Sequence, residues 1–303
     1  MPPTAVTRDT PSTAVLALRS AAFLVFQLIT VIPVAIGCLL CAPLPLQTRY
    51  RFTVRWPRMV IWGARTILGI RHRVIGAENL PDAPAIVLSK HQSTWETLFY
   101  PTYLRHQLCY VFKRELLFIP FFGWGIWLLD MIHIDRRRGT DAFEQVVRQG
   151  ARKLAAGRWL IMFPEGTRTR VGAQGRYKTG GPRFAVRTGA LVIPVAVNSG
   201  ECWPRRAFLK RPGLITVSIG PPIAPDGKSP EQLNREVESW IETEMRRISP
   251  HAYAAAPSPG GRPERAPERD AGRDAGRDAG RDARREDDRG AGRDDGRGSD
   301  GLA

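Results

Sequence analysis

The sequence predicts an α/β fold, a mixed sheet covered by helices and preceded by an N-terminal membrane-embedded helix or helical hairpin. Three observations lead there. Strand-like apolar runs alternate with helical patterns between about residues 71 and 247, an uncharged apolar stretch precedes them, and a tail almost without apolar side chains follows. At 303 residues the chain can bury one substantial core with something left over. The expected divisions are a flexible terminus (1–12), a membrane-anchoring helical region (13–70), an α/β domain (71–250) and a disordered tail (251–303).

The first element is the apolar stretch. No charged residue occurs from Ser20 to Thr48, and Ala21–Ala42 is long and apolar enough to cross a bilayer. It is too long for the core of a signal peptide, and no cleavage region follows it. Pro33 is expected to kink it, which leaves a bent helix or a half-inserted hairpin open. Arg8 and Arg19 precede the segment and Arg49, Arg51, Arg55 and Arg58 follow it, a bias that favours a cytoplasmic body. Residues 51–70 then read as an interfacial helix. At about 100° per residue, Arg51, Arg55, Arg58 and Arg65 fall on one side, and Phe52, Trp56, Met59, Val60, Ile67 and Ile70 on the other. Pro57 interrupts that pattern.

Strands are expected at Ala85–Ser89, Leu108–Phe112, Met131–Ile134, Trp159–Phe163, Ala190–Val197 and Leu214–Ile219, and helices at Asp141–Ala156, Pro182–Arg187 and Pro230–Arg247. The segment from Ala254 holds 11 Arg against 12 acidic residues, with A-G-R-D recurring at 271–274 and 275–278. It cannot offset its ordering entropy and is expected to be a solvated, disordered tail. The net charge of +16 therefore lies in the first 253 residues and points to an anionic partner, nucleic acid or an acidic membrane surface. The four cysteines form no disulfide framework. Cys38 and Cys41 lie in the apolar run without acidic or His neighbours and read as small apolar residues, not as a metal or redox pair.

Chemistry concentrates in blocks that follow strands. K-H-Q-S-T-W-E at 90–96 places His91 and Glu96 five apart, a spacing that a strand-to-helix turn can fold into contact. A carboxylate on one imidazole nitrogen leaves the other to take a proton from a hydroxyl. F-P-E-G-T-R at 163–168 combines a tight turn at Pro164 and Gly166, backbone amides of Gly166 and Thr167 for an anion, and the guanidinium fork of Arg168. Glu165 fits a hydroxyl or Arg positioner better than a phosphate cradle. Lys113 and Arg114 form a basic edge beside the apolar Leu116–Leu129, an arrangement that suits a lipid with a phosphate head. L-V-I-P-V at 191–195 reads as a buried supporting strand. Ser93 and Thr94 are expected to cap the following helix, and His72, His106, His133 and His251 lack comparable partners.

In this order and spacing, the four blocks resemble the glycerolipid acyltransferase superfamily, its 1-acyl-glycerol-3-phosphate acyltransferase branch, over roughly residues 70–220. His91 matches the His of the family's His-x4-Asp motif, and Glu96 stands at the Asp position. Lys113, Arg114, Glu115 and Leu116 match the second motif, Phe163–Arg168 is intact as the third, and Val192–Val195 matches the hydrophobic Pro block. Arg136 and Lys178–Gly180 resemble two further family positions.

The resemblance implies acyl transfer without a covalent enzyme intermediate. His91, oriented by Glu96, deprotonates the lysolipid 2-hydroxyl, which attacks a thioester of acyl carrier protein or coenzyme A. It implies an oxyanion held by amides near the first motif, and a glycerol phosphate held by Lys113, Arg114, Arg136, Glu165, Gly166, Thr167, Arg168 and Lys178. No metal or bound cofactor is expected, and the partners are membrane lysophospholipid and the acyl thioester, not nucleic acid. The expected location is a membrane, the inner one in a bacterium, with the catalytic domain in the cytoplasm. Two rivals are an acyltransferase for another lysolipid, such as a lyso-ornithine lipid, and a non-catalytic basic protein that binds membranes or nucleic acid.

Overall fold

The computed structural model describes residues 11–119, 122–134 and 140–253. Arg136, the side chain of Lys113, residues 1–10 of the expected flexible terminus and residues 254–303 of the expected disordered tail lie outside the described residues. The first three residues of that tail, 251–253, are corrected: they belong to a short helix, Pro250–Tyr253, that buries Tyr253.

The chain opens with α1 (Thr13–Leu40), capped by the Ser12 side chain and running through Pro33 as one helix. It is long and apolar enough to cross a membrane. The chain then reverses through α2 (Leu46–Thr53) and α3 (Arg55–Thr66), so a helical hairpin precedes the sheet. A Cβ on Gly37 would stand 2.3 Å from the Phe52 ring and one on Gly63 2.6 Å from Phe26, so both glycines permit the close approach of the two arms. The single interfacial helix expected over 51–70 is therefore corrected. It breaks at Val54, and Pro57 sits in the first turn of α3, where its missing N–H costs little. Its apolar face is turned inward, with Pro57, Val60, Gly63 and Ala64 buried, while Met59 and Trp62 remain exposed.

Among the described residues, seven strands follow in the spatial order β1-β7-β6-β2-β5-β3-β4. They are β1 (Ile70–Ile75), β2 (Ile86–Ser89), β3 (Leu108–Lys113), β4 (Ile132–Ile134), β5 (Trp159–Met162), β6 (Val192–Val197) and β7 (Gly213–Ile219). All pairings are parallel except β6–β7, which makes the sheet mixed, as the sequence predicts. β2 and β6 are buried along their whole length, in keeping with their uninterrupted apolar runs. The two faces alternate. Val87, Ile161, Ile193 and Val195 point to a core shared with Phe23, Tyr50, Val60 and Trp95, whereas Ile86, Leu88, Leu160 and Val192 meet Phe184, Leu233, Val237 and Ile241.

The first face is covered by α1–α3 and α4 (Trp95–Tyr103), the second by α6 (Thr140–Ala155), α7 (Gly180–Thr188) and α8 (Pro230–Ile248). α8 begins with a capping box between Ser229 and Gln232 and buries Leu233, Val237, Ile241 and Met245, spaced four apart on one side. α5 (Phe122–Leu128) packs near α1, and α9 (Pro250–Tyr253) ends the described chain. Arg158, buried at the start of β5, donates to the Leu108 and Leu129 carbonyls and so ties three strand-end segments together.

Candidate active site

The polar residues of the first block lie just past the end of β2, where strand gives way to helix. Lys90 N–H still donates to Val195 carbonyl at 2.9 Å, and the chain then turns into α4, which Glu96 enters in its first turn. This turn brings His91 Nδ1 to 2.8 Å from Glu96 Oε1. The same oxygen accepts the Gln92 and Ser93 amides at 2.8 and 2.7 Å, and Oε2 accepts Ser199 Oγ at 2.6 Å. The extra methylene of glutamate is thus accommodated. Glu96 is fully buried, and an ionised carboxylate only accepts, so Nδ1 carries the proton and Nε2 is left with its lone pair. The ring stacks on Phe163, with centroids 3.8 Å apart and planes at 17°.

His91 lines a cavity of about 1180 Å³ whose walls come mainly from apolar side chains of α1, α3, α4, β3 and α5. Gly166, Thr167, Arg168 and Lys178 line it as well, so these sequence-predicted residues converge on one space. Gly166 takes φ +68°, a left-handed turn position, and a Cβ there would stand 2.8 Å from Lys178 Nζ. Arg114 stands exposed at the head of the 3₁₀ turn Arg114–Phe118, outside the cavity lining.

Three expectations need correction. Glu165, expected in the substrate-binding set, is turned inward and 4% exposed. It accepts Lys90 Nζ at 2.7 Å and the amides of His91 and Gly175 at 3.1 and 3.2 Å, because a buried ammonium and two loop amides all need an acceptor there. The Gly166 amide closes its own turn onto the Phe163 carbonyl at 2.9 Å, so it cannot serve an anion. Among the described residues, the Thr167 amide has no protein acceptor. The amides of His91, Gln92 and Ser93 are likewise taken by carboxylates. Within 90–95, Thr94 alone keeps an amide without a protein acceptor among the described residues, and Thr94 lines the cavity. Ser93, not Thr94, caps α4, accepting the Trp95 amide at 3.0 Å.

The chain is similar in sequence and fold to known proteins. The family model described as Acyltransferase matches residues 71–198. A 1-acyl-sn-glycerol-3-phosphate acyltransferase of Pseudomonas aeruginosa is 46% identical over 211 residues, which span 68% of this chain and 82% of that protein. The chain belongs to the 1-acyl-sn-glycerol-3-phosphate acyltransferase family. A mouse alpha-type member is 31% identical over 180 residues, 58% of this chain and 63% of its own length. The crystal structure of the 1-acyl-sn-glycerophosphate acyltransferase PlsC from Thermotoga maritima superposes with a TM-score of 0.64 at 25% identity, covering 78% of this chain and 95% of that one.

In this acyltransferase, four buried groups beyond the expected set support the dyad. Ser199, on the 3₁₀ turn Ser199–Glu201 after β6, fixes the far oxygen of Glu96. Lys90, fully buried, bridges Glu165 and Glu242 of α8 at 2.7 Å each, and Tyr177 Oη donates to Glu242 at 2.9 Å. Burial, then the charges of Glu242 and Glu165, push the Tyr177 hydroxyl far up, so it remains a donor at any working pH. Lys90 is adjacent to His91 and identifiable as a charge in a buried turn. Ser199 lies more than 100 residues from Glu96, and Glu242 more than 100 from Lys90, so neither carries a local signal.

Proposed function

We propose that the protein transfers a fatty acyl group from a thioester to the 2-hydroxyl of 1-acyl-glycerol-3-phosphate, producing phosphatidic acid. The observation that carries this reading is the His91–Glu96 dyad at the wall of a cavity that joins apolar surface of α1 to the cations Arg168 and Lys178. A lysolipid has the matching form, a hydrocarbon chain with an anionic head beside the reacting hydroxyl. His91 Nε2 takes the hydroxyl proton as the oxygen attacks the thioester carbonyl, the C–S bond breaks, and the imidazolium returns that proton to the leaving thiolate. The Thr94 amide is the donor for the oxyanion, and Glu96 holds the imidazole and stabilises its charged form. Acyl carrier protein and coenzyme A both supply such a thioester.

The protein works at a membrane. Leu28, Ile29, Ile32 and Leu40 of α1, with Trp62 of α3 and Trp127 of α5, expose apolar side chains, and two exposed indoles suit the headgroup level. The arginines that follow α1 support a catalytic domain on the cytoplasmic side. The test supplies purified protein in vesicles with an acyl thioester and, separately, lysophosphatidic acid, a neutral lysolipid and lyso-ornithine lipid. Phosphatidic acid formation with release of one thiol per ester supports the proposal. Transfer to lyso-ornithine lipid alone, or no thiol release at all, overturns it.

A further inference from the structure

Two cations at the cavity lie beyond the matched motifs. Arg205 and Arg206 stand in the loop between β6 and β7, past residue 198, where the family match ends, and both line the cavity with Arg168 and Lys178. The loop is firmly held. Trp203 N–H donates to Ser199 carbonyl at 2.9 Å, and the Trp203 ring packs edge-on against Phe23 of α1 at 5.3 Å. Arg211 N–H donates to Cys202 carbonyl at 2.8 Å, and Lys210 N–H to the buried Ser20 hydroxyl at 3.0 Å. Arg205 Nη1 donates to the Arg168 carbonyl at 2.5 Å, which ties this loop to the Phe163–Arg168 turn. Arg206 is held at φ +58°, a left-handed conformation that a long side chain rarely adopts and that persists only where its surroundings impose it.

Charge is left uncompensated here. Among the described residues, Arg168, Lys178, Arg205 and Arg206 form no salt bridge, although carboxylates are near in sequence. Glu165 is committed to Lys90, Glu96 to His91, and Glu201 to His251 and the Ser249 hydroxyl. Four cations around one opening, with the described carboxylates near them in sequence engaged elsewhere, suit an anion of more than one charge.

We infer that Arg205 and Arg206 join Arg168 and Lys178 in a binding site for a dianionic phosphate monoester and thereby set the head-group charge that the protein accepts. This rests on the proposed acceptor, and it adds two specificity-determining residues and a rule: a phosphate monoester, near −2 at neutral pH, is preferred over a singly charged or neutral head.

The experiment titrates the intact protein in detergent with lysophosphatidic acid and with uncharged monoacylglycerol, following tryptophan fluorescence, for wild type, Arg205→Ala/Arg206→Ala and Arg205→Lys/Arg206→Lys. Wild type should prefer lysophosphatidic acid increasingly as pH rises through the second phosphate ionisation, at about pH 6. The double Ala variant should bind it roughly tenfold to a hundredfold more weakly, with a flatter pH dependence, and the Lys variant should recover part of the loss. In turnover assays the acceptor KM should rise far more than kcat falls, with the donor KM unmoved. Unchanged lysophosphatidic acid binding overturns the inference. A rise in the donor KM alone also overturns it, by assigning the cations to the thioester's phosphate, and so does a loss matched by weaker partition to phosphatidylglycerol vesicles. Binding needs no turnover. A protein that discriminates by head-group charge but transfers no acyl group would refute the proposed function and leave this inference standing.

Discussion

Replacing Lys90 with methionine removes a buried ammonium at nearly constant side-chain length. In the wild-type protein Lys90 Nζ stands 2.7 Å from Glu165 Oε1, 2.7 Å from Glu242 Oε1 and 3.1 Å from the Ala173 carbonyl. Both carboxylates are almost wholly buried, so water cannot replace the lost cation. Removing one partner of a buried ion pair costs ~3–5 kcal/mol, because the other charge remains desolvated. At a denaturant slope of ~2–3 kcal/mol per M, the urea midpoint should fall by about 1–2 M. Urea unfolding in detergent, followed by tryptophan fluorescence, reads that shift. Glu242→Gln should cost less, because Lys90 keeps Glu165. A Lys90→Met midpoint within about 0.3 M of wild type, or a Glu242→Gln loss larger than that of Lys90→Met, would refute the charge argument.

Ser199→Ala removes the 2.6 Å hydrogen bond to Glu96 Oε2 and should lower kcat about tenfold with little change in KM, because Oε1 keeps its three donors. Full activity in that variant would show that Glu96 needs no second anchor. Trp62→Ser with Trp127→Ser should weaken sedimentation with vesicles while leaving the circular dichroism spectrum unchanged, and undiminished sedimentation would remove these exposed rings from the membrane contact. Glu244 titrates below the usual carboxylate range through its bonds from Arg247 and Ser218, despite partial burial that opposes the shift. Its folded pKa is depressed, so its contribution is present above about pH 4.3 and is lost as pH falls through the folded value. Wild type should therefore exceed Glu244→Gln in stability at neutral pH and converge with it in acid, which thermal melts across pH will check.

Much of this was legible because the signals were local. The buried runs Ala85–Ser89 and Ala190–Val197 announced central strands, and Pro230–Arg247 carried its own cap and period. The dyad was legible because a strand-to-helix turn brings i and i+5 together without help from elsewhere. β1 was missed. Its residues Arg71, His72 and Arg73 are exposed on an edge strand, and the strand is recognised only through β7, over 140 residues on. Only the start of α4 was legible, at Ser93 and Thr94; its extent was not, since the helix is short, aromatic and contains Pro101. The inward turn of Glu165 could not be read from its motif, because the ammonium that holds it is itself held by Glu242 of α8.

The central claim is that His91 is the base that activates the acceptor hydroxyl. The most direct measurement is acyl transfer by His91→Ala, with vesicle binding and circular dichroism recorded on the same preparation. The ring is 12% exposed, at the cavity wall, and holds no core together, so the variant should fold and bind vesicles as wild type does. Its transfer rate should fall by roughly a hundredfold to ten-thousandfold, the usual worth of a positioned general base. Turnover within about tenfold of wild type, in a protein shown to be folded and membrane-bound, would contradict the account.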